Sequence, residues 1–310
     1  MRISLLLLPI LCLFALLVGS VHLSPAEVWT GLVGNADDTV HFIVMESRLP
    51  QMCTALLAGA ALGLCGLVMQ TLFANPLADP SLLGVNSGAS LGAAIALLAF
   101  GGSFALGGAT LSGVMLTIGA AFAGACAVIA LIALCSRWLT CNLSLLVAGV
   151  MLSFVISSVI SLLSFYATAD GVRSFVVWGL GDFSGVSSDR VWLMALWVLV
   201  PAAAIFLSAT SLNALLLGTD YATNLGVNVK RVRTWLLILT GLLTAVVTAL
   251  CGPIAFIGLA VPHVARMLLR TADHRKLIPA VLVLGADVAL LSLIISHLPG
   301  ERGTLPIAAI

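Results

Sequence analysis

Long apolar runs separated by short polar breaks dominate the chain. The runs are continuous, as in Leu5-Leu6-Leu7-Leu8 and from Val128 to Leu134, and do not alternate with a period of two. Barrel strands alternate apolar and polar residues over about ten positions, so the pattern predicts membrane helices and not a barrel. A span needs about 20 apolar residues. Nine candidate spans follow: Ile3–Val21, Cys53–Phe73, Gly84–Phe100, Leu111–Cys135, Leu143–Tyr166, Val191–Ser208, Thr234–Leu250, Ile254–Leu269 and Ile278–His297. The eighth is short and carries Pro262, His263 and Arg266. The stretch from Arg173 to Asp189 is too polar to span, and its Phe175-Val176-Val177-Trp178 segment reads as a short helix lying at an interface. Two long loops remain. The Val21–Gln51 loop is acidic, and Ala209–Arg233 reads as one or two short, semi-apolar helices of the kind that pack against another surface.

Composition narrows the class. Of 310 residues, 61% are apolar and only 25 are charged, with a mean hydropathy of +1.22. A water-facing surface carries roughly a quarter charged residues. A soluble enzyme is therefore excluded, and a net charge of +1 gives no basic face for nucleic acid. The fold class is an all-α polytopic membrane protein, read as a single transmembrane domain over residues 1–310.

Charge sets the orientation. With the N-terminus inside, Arg2, Arg137, Lys230, Arg231, Arg233, Arg266, Arg270, Arg275 and Lys276 lie inside, nine of the 13 cations. Arg48, Arg173, Arg190 and Arg302 lie outside together with most of the acidic residues. Cationic loops favour the cytoplasm, so this orientation is adopted.

Candidate chemistry is sparse. The seven cysteines form no CxxC pair and read as apolar packing residues. His263 has no second ligand three or four positions away, so no metal site is expected. Neither lysine follows a glycine or precedes Ser or Thr, so there is no phosphate loop, no catalytic residue and no ATP bound by this chain. Gly84, Gly88 and Gly92 line one helix face, and Ser153, Ser157 and Ser161 line another. For both ladders two readings stand: close helix packing or a translocation path. Asp287 falls inside the ninth run, where a carboxylate is costly. It is either functional, as the coupling group of an ion-driven carrier would be, or bonded to a neighbouring helix.

Several blocks together resemble the FecCD/BtuC-like permeases of ATP-binding-cassette importers for iron–siderophore, haem or cobalamin. They are Arg48-Leu49-Pro50, Gly59-Ala60-Ala61-Leu62 with Gln70, and Asn75-Pro76-Leu77-Ala78-Asp79-Pro80 before Leu83-Gly84-Val85. Trp178-Gly179-Leu180-Gly181, then Ala222 with Leu225-Gly226-Val227, follow in order. The last is Gly252-Pro253-Ile254-Ala255-Phe256-Ile257-Gly258-Leu259 with Pro262-His263, Arg266 and Asp273-His274-Arg275. The resemblance implies a type II importer permease with ten spans, of which nine are visible here. It implies a second permease copy, two cytoplasmic ATPases carrying ATP and Mg, a substrate-binding protein docked outside, and a bacterial inner-membrane location. Iron chelate is the expected cargo, with cobalamin as the alternative. The implied ATPase-coupling residues are Asp220, Ala222, Leu225 and Gly226. The implied docking positions for the binding protein are Arg48, Gln51, His297 and Arg302, two of which depart from the family's usual residues.

Overall fold

The computed structural model describes residues 2–19, 21–34, 37–101, 104–106, 109–111, 113–139, 142–299 and 304–310. In chain order the helices are α1 (Arg2–Leu17), α2 (Pro25–Val33), α3 (Asp38–Phe42), α4 (Leu49–Leu72), α5 (Val85–Ala94), α6 (Gly113–Trp138) and α7 (Asn142–Tyr166). They continue with α8 (Ala169–Gly179), α9 (Ser188–Leu207), α10 (Ala209–Leu216), α11 (Thr219–Asn224), α12 (Val229–Cys251), α13 (Ile257–Leu269) and α14 (His274–Ser296). Six stretches of the described residues are long and apolar enough to cross a membrane: Asp38–Leu72, Gly113–Ser136, Leu143–Tyr166, Ser188–Leu207, Val229–Cys251 and His274–Ser296. Three shorter apolar helices, Ser4–Leu17, Val85–Ala99 and Ile257–Leu269, supply the other three expected runs. A small antiparallel hairpin pairs Phe104–Leu106 with Ala109–Leu111 between α5 and α6.

The Val21–Gln51 stretch differs from the loop expected for it. It folds into α2, then α3, then a π-helical turn over Ile43–Arg48 that runs directly into α4. The start of α2 is set by a reciprocal capping box of Ser24 and Glu27 around Pro25, which the loop reading missed. The box satisfies the Ser24 and Glu27 N–H groups, and the two Ser24 contacts hold the Glu27 carboxyl below its ordinary range. The expected interfacial helix is present as α8, capped by Thr168, whose side chain accepts from the Gly171 N–H.

The core is built on α4. Its glycines let neighbouring backbones approach to a distance that no side chain allows. A Cβ on Gly59 would lie 2.1 Å from the Gly285 carbonyl oxygen of α14, and one on Gly66 would lie 1.7 Å from the Gly258 carbonyl oxygen of α13. Lipid offers no hydrophobic drive between helices, so this close contact is what binds the block together. The central helix α12 packs on α4, α6 and α9, burying Leu236, Leu243 and Val247. By contrast α7 leaves most of its surface open, including Met151, Phe154, Val155, Leu162 and Phe165.

The motif blocks form the corners of this frame. Asn75 Oδ1 accepts the Leu77 N–H at 3.0 Å, and Asp79 Oδ1 accepts the Ser81 N–H at 2.8 Å, turning the chain from α4 into α5. Gly252, at φ +74°, sits where a Cβ would meet the Trp178 carbonyl oxygen at 2.5 Å, so the Gly-Pro turn after α12 closes on the end of α8.

Candidate functional site

With the N-terminus inside, α10 and α11 lie at the cytoplasmic end between α9 and α12. Gly218 (φ +102°) and Gly226 (φ +83°) punctuate them, and both are open to the outside. Ala222 is fully buried and seats α11 against the protein. Asp220 and Gly226 are exposed, and Leu225 is 59% exposed. Leu216, Leu217 and Tyr221 are exposed beside them. The four positions for which the resemblance implies coupling thus come together on one short segment, with one residue anchoring it and three exposed. A cavity of about 580 Å³ opens behind, lined by Leu215, Thr223, Gly226, Lys230 and Arg233 among others.

The segment is tied to the membrane helices by polar bonds that the sequence did not reveal. Asn213 Nδ2 donates to Asp273 Oδ1 at 2.7 Å, and the His274 N–H donates to Asn213 Oδ1 at 2.8 Å. The Asn213 amide first, then the Arg275 N–H, holds the Asp273 carboxyl below the ordinary carboxylate range. Asp273 therefore stays ionised as the N-cap of α14. On the neighbouring helices, Gln70 Nε2 donates to the Leu259 carbonyl at 3.2 Å, and Arg266 donates to Gln70 Oε1. All of these residues except Asn213 belong to the motif blocks, yet their pairing across 60 to 196 positions has no local signal.

The expected outer docking positions fare differently. Arg48 is 5% exposed, not presented at the rim. Its guanidinium donates to the Leu16 carbonyl at 2.6 Å, to the Leu17 carbonyl at 3.0 Å and to the Val21 carbonyl. A helix end leaves its last carbonyls unpaired, and a buried cation satisfies and neutralises them. Arg48 is thus the C-terminal cap of α1, which corrects its expected exposure. Replacing it by Met strips three carbonyls of their donor, at roughly 1.5–3 kcal/mol for a charged bond. Arg48→Met is expected to lower the melting temperature clearly while binding-protein affinity changes less than threefold. A tenfold affinity loss at unchanged melting temperature would restore the docking role. Gln51 is half-buried and donates to Ser47 Oγ at 3.2 Å. His297 is half-buried against the Leu293 carbonyl at 2.9 Å. Arg302 lies outside the described residues.

The glycine ladder packs inward. A Cβ on Gly88 would lie 2.6 Å from the Gly124 carbonyl oxygen, one on Gly92 1.9 Å from that of Ala120, and one on Gly84 3.1 Å from Ser153 Oγ. Gly84, Gly88 and Gly92 are therefore buried in the α5–α6–α7 seam, not on an open path, because contact that close leaves no lumen. Ser153 faces Gly84 and donates to the Gly149 carbonyl. Ser157 and Ser161 are exposed on the open face of α7. Asp287 is 3% exposed, and its Oδ2 accepts from Ser4 Oγ at 2.7 Å across the α1–α14 contact. Its other oxygen, Oδ1, is buried with no hydrogen-bond partner among the described residues, so the neighbouring helix satisfies only half of the carboxyl group. Among the described residues no cluster of His, Cys, Asp and Glu could hold a metal ion.

Comparison with known proteins places this architecture. Residues 7–310 match the FecCD transport family. The vitamin B12 import system permease protein BtuC of Klebsiella pneumoniae is 35% identical over 306 residues, covering 98% of this chain and 87% of that protein. The protein of the same name from Salmonella typhi is 36% identical over 301 residues, covering 97% and 89%. A metal-chelate type ABC transporter solved in an inward-facing conformation superposes with a TM-score of 0.85 at 29% identity, covering 99% of this chain and 92% of that one. The helical frame and its relatives define a multi-pass membrane protein with the fold of an ATP-binding-cassette importer permease. The chain belongs to the FecCD transport family. Permeases of such importers work with ATPase subunits and a substrate-binding protein.

Proposed function

We propose that this chain is the inner-membrane permease subunit of a cobalamin importer, working as a homodimer with two ATPases inside and a binding protein outside. The observation that carries the transport assignment is the pairing of a buried Ala222 with exposed Leu225, Tyr221 and Asp220 on a segment held to the membrane helices. An exposed apolar patch on a cytoplasmic loop calls for a partner. The chain has no phosphate loop, so the energy enters from that partner. The cargo reading moves from iron chelate to cobalamin because the relatives over nearly the whole chain are named for vitamin B12 import. The open face of α7, with Ser157 and Ser161 among apolar side chains, supports a second copy across it. Asp287 bonds Ser4 through Oδ2 alone and its buried Oδ1 has no hydrogen-bond partner among the described residues, so what supports the importer over an ion-coupled carrier is the likeness to import permeases over nearly the whole chain.

The test is uptake into vesicles holding the permease, its ATPases and its binding protein. Labelled cyanocobalamin is expected to accumulate with internal ATP, unaffected by ionophores, and at least about tenfold faster than a ferric hydroxamate. Faster ferric uptake would return the cargo to iron chelate. Uptake without ATP, lost in Asp287→Asn, would overturn the importer reading itself.

A further inference from the structure

His274 stands where the coupling segment, α4 and α14 meet, and it is 1% exposed. Every polar atom that its ring and backbone N–H present is engaged. Its backbone N–H and its Nδ1 both lie 2.8 Å from Asn213 Oδ1 on α10. That oxygen already accepts the backbone N–H, so Nδ1 carries a proton. Its Nε2 lies 2.8 Å from Thr71 Oγ1, near the inner end of α4. The Thr71 hydroxyl also lies 2.9 Å from the Leu67 carbonyl of its own helix. A second strand runs beside it, since Arg275 Nη2 donates to Thr210 Oγ1 at 3.2 Å. Beyond Thr71, α4 is locked to α13 and α14 at Gly66 and Gly59.

The coupling segment also has a covalent route into the membrane, from Gly226 into α12. In that turn Gly226 is in the left-handed region, Leu225, Gly226 and Asn228 are exposed and Val227 is half-buried. The Gly226 and Val227 N–H groups bond only to Thr223 and Ala222 of α11 itself, so the turn is tied to the segment and is a compliant link to α12. The Asn213–His274–Thr71 chain is short and bonded at each step, with His274 and Thr71 buried and Asn213 half-buried, so it is a stiffer link than that turn and reaches α4 and α14, which the direct α9–α10 junction at Ser208 does not.

We infer that Asn213, His274 and Thr71 form a positioning relay that carries displacement of the α10–α11 segment into the α4–α13–α14 block. The relay adds to the importer reading above and rests on ATPase docking at α10–α11. None of its members touches cargo. Its role is to make the ATPase-facing segment and the core helices move together.

The test uses the permease–ATPase complex in nanodiscs, read by hydrogen–deuterium exchange with and without ATP plus vanadate. In the natural protein, nucleotide is expected to change exchange both in residues 209–226 and in residues 67–80. Asn213→Ala and Thr71→Val should keep the first change and lose at least about tenfold of the second. The double variant should lose no more than either single one, because both act through His274. Thr71→Ser, which keeps the hydroxyl, should behave as the natural protein. Equal changes at residues 67–80 in all variants, or additive losses in the double variant, would overturn the relay while leaving the importer reading intact. No nucleotide response at residues 209–226 in the natural protein would overturn both.

Discussion

Gly66→Leu is expected to leave almost no folded protein in the membrane. A Cβ at this position would fall 1.7 Å from the Gly258 carbonyl oxygen, and 2.4 Å from its carbonyl carbon. Those atoms are backbone and cannot rotate away. The helices α4 and α13 would have to part by the thickness of a side chain, which opens their contact along its length. Overpacking a core costs typically about 1–3 kcal/mol where side chains can yield, and more where only backbone can. Net stability is of order 5–15 kcal/mol, so losing the α4–α13 seam is enough to unfold the chain. Gly119→Leu is the matching control. It adds the same side chain to α6, where a Cβ would meet nothing within 4 Å. Size-exclusion profiles of detergent-extracted protein decide the matter: a monodisperse peak for both variants would mean the seam is not essential.

Leu225→Asp is expected to abolish productive ATPase docking while the permease folds normally. The side chain is 59% exposed, so its loss costs the isolated chain little. In the proposed complex it joins Leu216, Leu217 and Tyr221 as an exposed apolar side chain of the docking segment. Truncating an apolar anchor costs about 2 kcal/mol or more, and a buried carboxylate adds to that, so the affinity should fall at least about 30-fold. Gly226→Glu should act by a second route. A side chain at φ +83° strains the turn by roughly 1–2 kcal/mol and tilts α11 away from its seat at Ala222. Both variants should keep the natural melting temperature within a few degrees. Affinity within threefold of natural for Leu225→Asp would place the ATPase elsewhere.

Much of this protein was legible in its residues. The apolar runs located the six candidate spans and three shorter apolar helices among the described residues, because a span's length and polarity are written locally. Gly226 marked the end of a short helix in the Ala209–Arg233 stretch, whereas the Ser24–Glu27 box that starts α2 was passed over and its stretch read as a loop. The motif blocks pointed to the family before any geometry was known. What stayed hidden was direction and partnership. Arg48 looked like an outward cation by charge and position, but it turns inward because two carbonyls at the end of α1 and that of Val21 just beyond it need a donor. Gly84, Gly88 and Gly92 shared one face, and periodicity could not say whether that face met water or another backbone.

By itself, then, the sequence determined the class, the apolar spans and the family, since each depends on neighbours along the chain. The tertiary structure alone decided which polar groups meet: Arg48 with α1, Asp287 with Ser4, and Asn213 with Asp273 and His274. Those bonds join residues 32 to 283 positions apart, and a buried polar group takes whichever partner folding brings within 3 Å of it.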